Sequence, residues 1–136
     1  MSVESASKEY IQIGDEIEDG TIYAGISPDT HKPIYTTPLD ELGTYTFNQA
    51  AAMANNLEAH GYRDWRAPSR GELNVLYENR NKGKLAGTFN ETGSGHAGWY
   101  WSSSQQFDNG AWDQGFREGH QHVVSKDCIS SLRCVR

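Results

Sequence analysis

The sequence predicts an α+β domain in which two helices pack on an antiparallel sheet. Three observations lead to this class. Short alternating segments come first, two capped amphipathic segments follow, and short glycine-punctuated segments fill the rest of the chain. Strands and helices that are segregated along a chain favour α+β over an alternating β-α-β order. The 136 residues are 11% aromatic but only 36% hydrophobic, which indicates a loop-rich fold with a core built from rings.

The first predicted elements are short strands. Residues 10–13 alternate weakly and end at Gly14, which is typical of a strand and a turn. Residues 21–26 form a second strand, and residues 33–37 return after the turn-forming cluster 27–32. We therefore expect the two longer segments to pair as a β-hairpin.

Two helices follow, and each begins with a capping box. Thr46 has Gln49 three residues later, and Ser69 has Glu72 at the same spacing. In this pattern each side chain accepts a hydrogen bond from the other residue's backbone amide. Apolar residues then recur at helical period in both segments. We expect Gly61 to end the first helix in a left-handed conformation.

The chain after residue 83 lacks a helical period and is predicted to form short antiparallel strands. Glycines separate the segments, and side chains alternate within them. The predicted strands are 99–103, 111–116, 120–125 and 132–135.

One domain is the expected organisation, because two separate cores would each be marginal at this length. We assign the domain to residues 19–136 and treat residues 1–18 as a polar N-terminal segment that is disordered or docks on a partner. That segment has no basic stretch followed by an apolar one, so we expect no secretory signal.

The charge balance disfavours two classes of partner. Twelve Lys and Arg against eighteen Asp and Glu give a net charge of −6, which argues against a nucleic-acid binder. The apolar runs are too short to span a bilayer, so we expect no membrane insertion.

Signals for a cofactor or for catalysis are weak. Cys128 and Cys134 either close a small disulfide loop or stay reduced, and two cysteines alone do not make a zinc site. His120 and His122 share one strand face near Asp113, but paired strand histidines are more often surface residues, so we expect no metal and no cofactor. The sequence has no nucleophile elbow, phosphate loop or zinc-protease motif, and we do not expect an enzyme.

Four sequence blocks, in this order, resemble a known family. The blocks are Asp64–Leu73, Gly98–Ser104, Ala111–Trp112 and Ser131–Arg136. They are similar to those of a bacterial and phage family related to the C-terminal domain of a collagen-like adhesin, over about residues 20–136. Ala67 departs from the pattern, since family members usually carry a bulky aliphatic residue there.

The resemblance implies a C-type-lectin-like fold with adjacent terminal strands and a long variable surface on the later strands. It also implies a non-enzymatic binding module, displayed on a virion or cell exterior, that recognises a receptor or a glycan. The ligand stays open, because a fold does not fix it. Formylglycine-generating enzymes share a distantly related fold, and a catalyst of that kind is the remote alternative; their paired active-site cysteines have no matched context here.

We place the candidate binding surface on the later strands. Trp101, Trp112 and Phe116 are expected to face the core, and alternation then turns their neighbours to the opposite face. Aromatic residues beside Gln, Asn, Ser and Asp are typical of evolved binding loops. The alternative is an ordinary solvated sheet face. The candidate ligand-binding residues are Tyr100, Ser102, Ser104, Gln106, Phe107, Asp108, Asn109, Asp113, Arg117, His120 and His122.

Two functional hypotheses follow. In the first, the domain binds a receptor or glycan through this surface. In the second, it is a structural or decorating virion component, such as a head-fibre or tail accessory, that packs as a homo-oligomer or docks on a particle or fibre protein. Both hold together if residues 1–18 dock the domain and the sheet face points outward.

Overall fold

A computed structural model describes residues 10–93 and 95–136, and the elements follow the predicted order. They are β1 (Ile22–Ile26), β2 (Pro33–Thr36), α1 (Phe47–Asn56), α2 (Arg70–Glu78), β3 (Trp99–Phe107), β4 (Gly110–Gly115) and β5 (Gln121–Ser125), with 3-10 turns at Gly83–Leu85 and His96–Gly98. The prediction of an α+β fold with two helices and antiparallel strands is confirmed.

The strands form two antiparallel sheets. β1 and β2 make a two-stranded sheet, while β3, β4 and β5 make a three-stranded sheet with β4 in the centre. The predicted strand at residues 10–13 is absent. Instead, Gly14 N–H donates to Tyr23 O and Asp15 O accepts from Tyr23 N–H, so the chain meets β1 just after the predicted strand.

The predicted N-terminal segment is partly attached to the hairpin. Ile17 N–H donates to Thr21 O, and Gly14 O accepts from Lys84 N–H at 2.7 Å. Residues 14–17 are therefore hydrogen-bonded to the rest of the domain. Residues 1–9 lie outside the described residues, and a docking role for them stays a prediction.

Both predicted capping boxes are confirmed. Thr46 Oγ1 accepts from the Gln49 amide at 3.3 Å, and Ser69 Oγ accepts from the Glu72 amide at 3.2 Å. In each box the second side chain also accepts from the backbone N–H of the first residue. These bonds satisfy amides that have no partner within the first helical turn.

The predicted end of the first helix is wrong. α1 ends at Asn56, and Gly61 lies in a tight turn in which Ala59 and Tyr62 exchange backbone hydrogen bonds. Both central residues of this turn have positive φ, 55° at His60 and 84° at Gly61. Gly61 therefore serves a two-residue hairpin turn, which needs that conformation.

The core consists of two buried clusters, both rich in rings. In the first, Tyr100 packs on Phe116 with ring centroids 4.5 Å apart. In the second, Phe47 of α1 meets Trp101 edge to face at 5.6 Å. Aromatic side chains provide large buried area per residue, so this domain needs few aliphatic ones.

The C-terminal segment, residues 130–136, runs between the two sheets. Residues 130–135 are buried, but the predicted strand at 132–135 is not regular. The segment changes partner along its length, from Tyr45 at Ser130 to Thr36 and Arg66 at Val135, so no continuous ladder forms. Its bridge to β2 places the end of the chain beside the N-terminal hairpin, as expected.

The two cysteines are free. Cys134 is buried, and burial raises the pKa of its thiol to about 12. Cys128 is exposed. In the structure Cys128 and Cys134 are therefore both reduced and form no disulfide, although only Cys134 is buried.

Candidate functional site

The hairpin tip, residues 105–109, comprises the end of β3 and the turn to β4 and is exposed to solvent. Lys126 holds it from the end of β5, where its Nζ donates to Gln105 Oε1 at 2.5 Å and to Asp108 O at 2.7 Å. Phe107 is 66% exposed, which is unusual for an aromatic side chain. The tip brings four of the predicted site residues together on the surface, namely Gln106, Phe107, Asp108 and Asn109.

Three other predicted site residues are buried, and their placement on an open face is wrong. Tyr100, Ser102 and Asp113 are only 0%, 1% and 4% exposed. The Tyr100 hydroxyl donates to the Asp40 carboxylate and accepts from the Asn90 amide. Alternation failed here because consecutive residues of β3, Tyr100, Trp101 and Ser102, are all buried, so both faces of the strand are covered at this point.

The register of the three-stranded sheet explains why Asp113 lies on a different face from the one predicted. Trp101 lies opposite Asp113, which in turn lies opposite His122. Directly opposed residues share a face of the sheet, so Trp101 and Asp113 are on the same side. Trp112 is on the other side, under the Arg70 guanidinium at 3.6 Å. The expectation that Trp101 and Trp112 face the same core is therefore wrong.

A cleft of about 340 Å³ opens on the Asp113 side of the sheet. We call it the Trp99 cleft. The half-buried Trp99 ring stacks on His122, with centroids 5.0 Å apart and planes 27° apart. The lining residues are Gly95, His96, Trp99, Asp113, His122, Val124, Cys128, Ile129 and Ser130.

The Asp113 carboxylate is the buried polar group of this cleft. Burial raises its pKa to about 7, although its own backbone amide and the Ser130 hydroxyl favour the ionised form. Neither makes a hydrogen bond to Asp113 Oδ1, and no other donor in residues 10–93 or 95–136 does so. A buried acceptor without a partner is rare, because burying it unpaired costs free energy.

A smaller cleft of about 200 Å³ is also lined by Trp99. It brings together Arg117 and His120 from the predicted site, along with Glu118. The His120 and Glu118 side chains are 3.2 Å apart, and the His120 ring stacks on His122 at 6.1 Å. Trp99 thus lines both a cleft with one carboxylate and a cleft with side chains of both charges.

Ser104 has a structural partner. Its Oγ accepts from the Arg70 backbone amide at 2.9 Å, at the first turn of α2. The residue is half-buried and joins β3 to the helix start. Its hydroxyl is therefore engaged within the domain.

Sequence reasoning missed Trp99 and the loop residues that complete the cleft. One signal was present: Trp99 is two residues before Trp101, so both side chains leave β3 on the same face. A second was Gly115, which lies opposite Trp99 and whose Cβ, if it had one, would be 3.1 Å from the Trp99 ring. The loop residues His96, Cys128 and Ile129 carried no such signal.

Two further properties concern residues 10–93 and 95–136. In this part of the chain no three or more His, Cys, Asp or Glu side chains are close enough together to hold a metal ion. The helices in the same residues are too short or too polar to cross a membrane.

The fold and the clefts define an α+β domain whose larger sheet carries two clefts lined by Trp99. The Lcl C-terminal domain family matches residues 25–136, and the chain belongs to that family. The match includes the hairpin tip and both clefts beside Trp99. Curated protein sequences give no match to the chain.

Proposed function

We propose that this domain is a non-enzymatic, adhesin-like module that is displayed on a cell or virion exterior and binds a receptor or a glycan. Membership of the Lcl C-terminal domain family supports a surface module of this kind. The observation that carries the proposal is the Trp99 cleft, in which an aromatic ring lies beside a buried carboxylate with one oxygen, Asp113 Oδ1, that has no donor in residues 10–93 or 95–136. Binding sites typically combine apolar walls with a few convergent polar groups.

The hairpin tip extends this surface in a different way. Phe107 offers an exposed ring, and its neighbours offer amide and carboxylate groups. Such residues make adaptable contacts at low conformational cost. We assign the tip to peripheral contacts and the cleft to the central one.

The buried thiol is poorly suited to nucleophilic catalysis. A thiol must ionise to act as a nucleophile. The pKa of Cys134, at about 12, keeps its buried thiol protonated at neutral pH.

The test is binding of the purified domain to a glycan array and to bacterial cells. Trp99→Leu removes the platform, and we expect at least a tenfold loss of affinity, since central aromatic residues dominate most interfaces. Phe107→Ala should cost less, about two- to fivefold. Ile26→Ala is the matched control, because Ile26 is 48% exposed on the distant β1–β2 hairpin.

Unchanged binding in both Trp99→Leu and Phe107→Ala would reject this surface. An equal loss in Ile26→Ala would show that the effect is not specific to it. Circular dichroism at the assay temperature confirms that each variant is folded.

A second candidate function, packing against identical neighbours or docking on a particle, is favoured by one observation. Leu42 and Leu39 are 93% and 66% exposed on the loop between β2 and α1. Neighbouring exposed leucines are typical of contact surfaces. Light scattering of the wild type and of a Leu39→Ser, Leu42→Ser double variant tests it: a defined oligomer that the variant loses supports packing, and a monomer in both contradicts packing between copies.

A further inference from the structure

The Asp113 carboxylate has more acceptor capacity than the domain uses. Its side chain is 4% exposed, lines the Trp99 cleft, and has an oxygen without a donor in the described residues. An ionised carboxylate accepts hydrogen bonds through both oxygens. A ligand that supplies a donor would therefore complete a group that the fold leaves incomplete.

The surroundings of this oxygen favour a positively charged donor. The Trp99 and His122 rings form one wall, and an aromatic face attracts a cation. Val124 and Ile129 supply apolar surface that suits an alkyl stem. Among the described residues that line the cleft there is no Lys or Arg, so no internal cation occupies this position.

The charge of the whole chain acts in the same direction. A net charge of −6 raises the local concentration of cationic ligands near the surface. A bare metal ion is less suited to the cleft, because the described residues provide no group of three ligating side chains. An organic cation needs a single carboxylate and an aromatic wall.

We propose that the Trp99 cleft binds a protonated amine, with the Asp113 carboxylate as its counter-charge and the Trp99 ring as its aromatic wall. This inference rests on the proposed binding function and names the ligand chemistry of its central site. A lysine side chain of a receptor and an amino sugar of a glycan both carry such a group.

The experiment is an NMR titration of the isotopically labelled domain at pH 8, followed at the Trp99 indole. Butylammonium chloride and 1-butanol are the probes, since they share the alkyl stem and differ in charge and donor number. We expect butylammonium to bind at least about tenfold more tightly, as a hydrogen bond to a charged group contributes that much. Equal affinity for the two probes would overturn the proposal.

Two variants separate the charge from the ring. Asp113→Asn keeps the shape of the side chain and should abolish the preference for the cation. Trp99→Leu should reduce butylammonium affinity about threefold or more through loss of the cation–π contact. Asp127→Asn is the control, because it removes one exposed carboxylate that does not line the cleft. An undiminished preference in Asp113→Asn would overturn the proposal.

The pH dependence gives an independent readout. Protons compete with the cation for Asp113, so butylammonium affinity should fall as the pH is lowered from 8 to 5. The other titratable groups that line the cleft are His96, His122 and Cys128. The decrease in affinity at low pH should persist in His96→Gln, His122→Gln and Cys128→Ser. It should vanish in Asp113→Asn. If the decrease is lost in His122→Gln alone, the assignment to Asp113 is wrong.

Two further measurements identify the source of the amine and separate failure of the amine site from failure of the proposed binding function. Lysine amide and glucosamine are titrated, with N-acetylglucosamine as the uncharged control. Tighter binding of lysine amide indicates a protein source, and tighter binding of glucosamine indicates a glycan source. If cells or glycans bind the domain but no amine does, the ammonium site is wrong and the binding function stands. If amines bind and no cell or glycan does, the ammonium site stands without its proposed role.

Discussion

The hairpin tip and the Trp99 cleft belong to the same three-stranded sheet, but they are held together by different interactions. The tip is exposed and is anchored by Lys126, through two hydrogen bonds from its ammonium and one from its backbone N–H to Asn109 O. The cleft is lined by the buried Asp113 and by the Trp99 ring, which packs on His122 and against Gly115. The tip therefore depends on one anchoring residue of the neighbouring strand end, whereas the cleft depends on strand register and on two separate loops.

This difference has consequences for recognition. Under the proposed binding function, we expect side chains of the tip to adjust to a partner with little loss of packing in the domain. One Asp113 oxygen in the cleft has no donor in the described residues, so we expect the cleft to select a ligand by its chemistry. Specificity is therefore expected from the cleft, and additional contact area from the tip.

The largest expected effect concerns Asp113 and pH. Its folded-state pKa of about 7 is above the ordinary value of 3.8, so burial favours the protonated form. The stability that this protonation gives is full below pH 3.8 and is lost as the pH rises through 7. Asp113→Asn should therefore be more stable than the wild type at pH 8, by up to about 4 kcal/mol in the free energy of unfolding, with the advantage disappearing near pH 4.

Urea unfolding of both proteins from pH 4 to pH 8 measures this effect. Asp127→Asn provides the control for the charge change and should follow the wild-type profile within about 0.5 kcal/mol. An Asp113→Asn profile parallel to that of the wild type would mean that Asp113 titrates as an ordinary surface carboxyl.

The second prediction concerns the packing of the Trp99 ring in the cleft, which the exposed tip lacks. Trp99→Ala removes a half-buried ring that contacts His122 and Gly115, so we expect a loss of about 2 kcal/mol in the free energy of unfolding. Thermal unfolding followed by circular dichroism measures it. A loss below about 0.5 kcal/mol would place the ring in solvent and would remove the distinction between cleft and tip.

The third effect tests the anchor of the tip. Lys126→Met keeps an apolar stem but removes the ammonium that bonds Gln105 and Asp108. We expect faster amide exchange at residues 106–110, with a global loss of only about 0.5 kcal/mol, since both partners are solvent-exposed. Hydrogen exchange read by mass spectrometry resolves the segment, and unchanged exchange there would show that the tip is ordered without Lys126.

The smallest effect concerns Phe107. Its ring is 66% exposed, so Phe107→Ala should change the free energy of unfolding by less than about 0.5 kcal/mol. Chemical denaturation is the measurement. A loss above 1 kcal/mol would mean that the ring packs on the domain and is not available as a contact residue.

Much of the fold could be predicted because the signals are local. Thr46 with Gln49, and Ser69 with Glu72, specify two helix starts within four residues each. Alternation and glycine spacing located the strands of the larger sheet. Gly61 misled the prediction of a helix end, because a hairpin turn and a helix terminus both use a glycine with positive φ.

The binding surface was only half predictable. The exposed tip followed from its composition, but the burial of Tyr100 depends on Asp40, which lies 60 positions away in sequence. The face of Asp113 depends on its pairing with Trp101, and β3 has a register irregularity between Trp101 and Gln105. Such a bulge changes which residues share a face, and alternation along one strand does not reveal it.

The proposed role of the Asp113 carboxylate as the counter-charge of a protonated amine can be tested at the carboxyl itself. A carbon-13 NMR titration of the Asp113 carboxyl, assigned with Asp113→Asn, measures its pKa in the absence and presence of butylammonium. We expect a pKa of about 7 that falls when the amine is added. A pKa near the ordinary value of 3.8 that the amine does not change would rule out the proposed site.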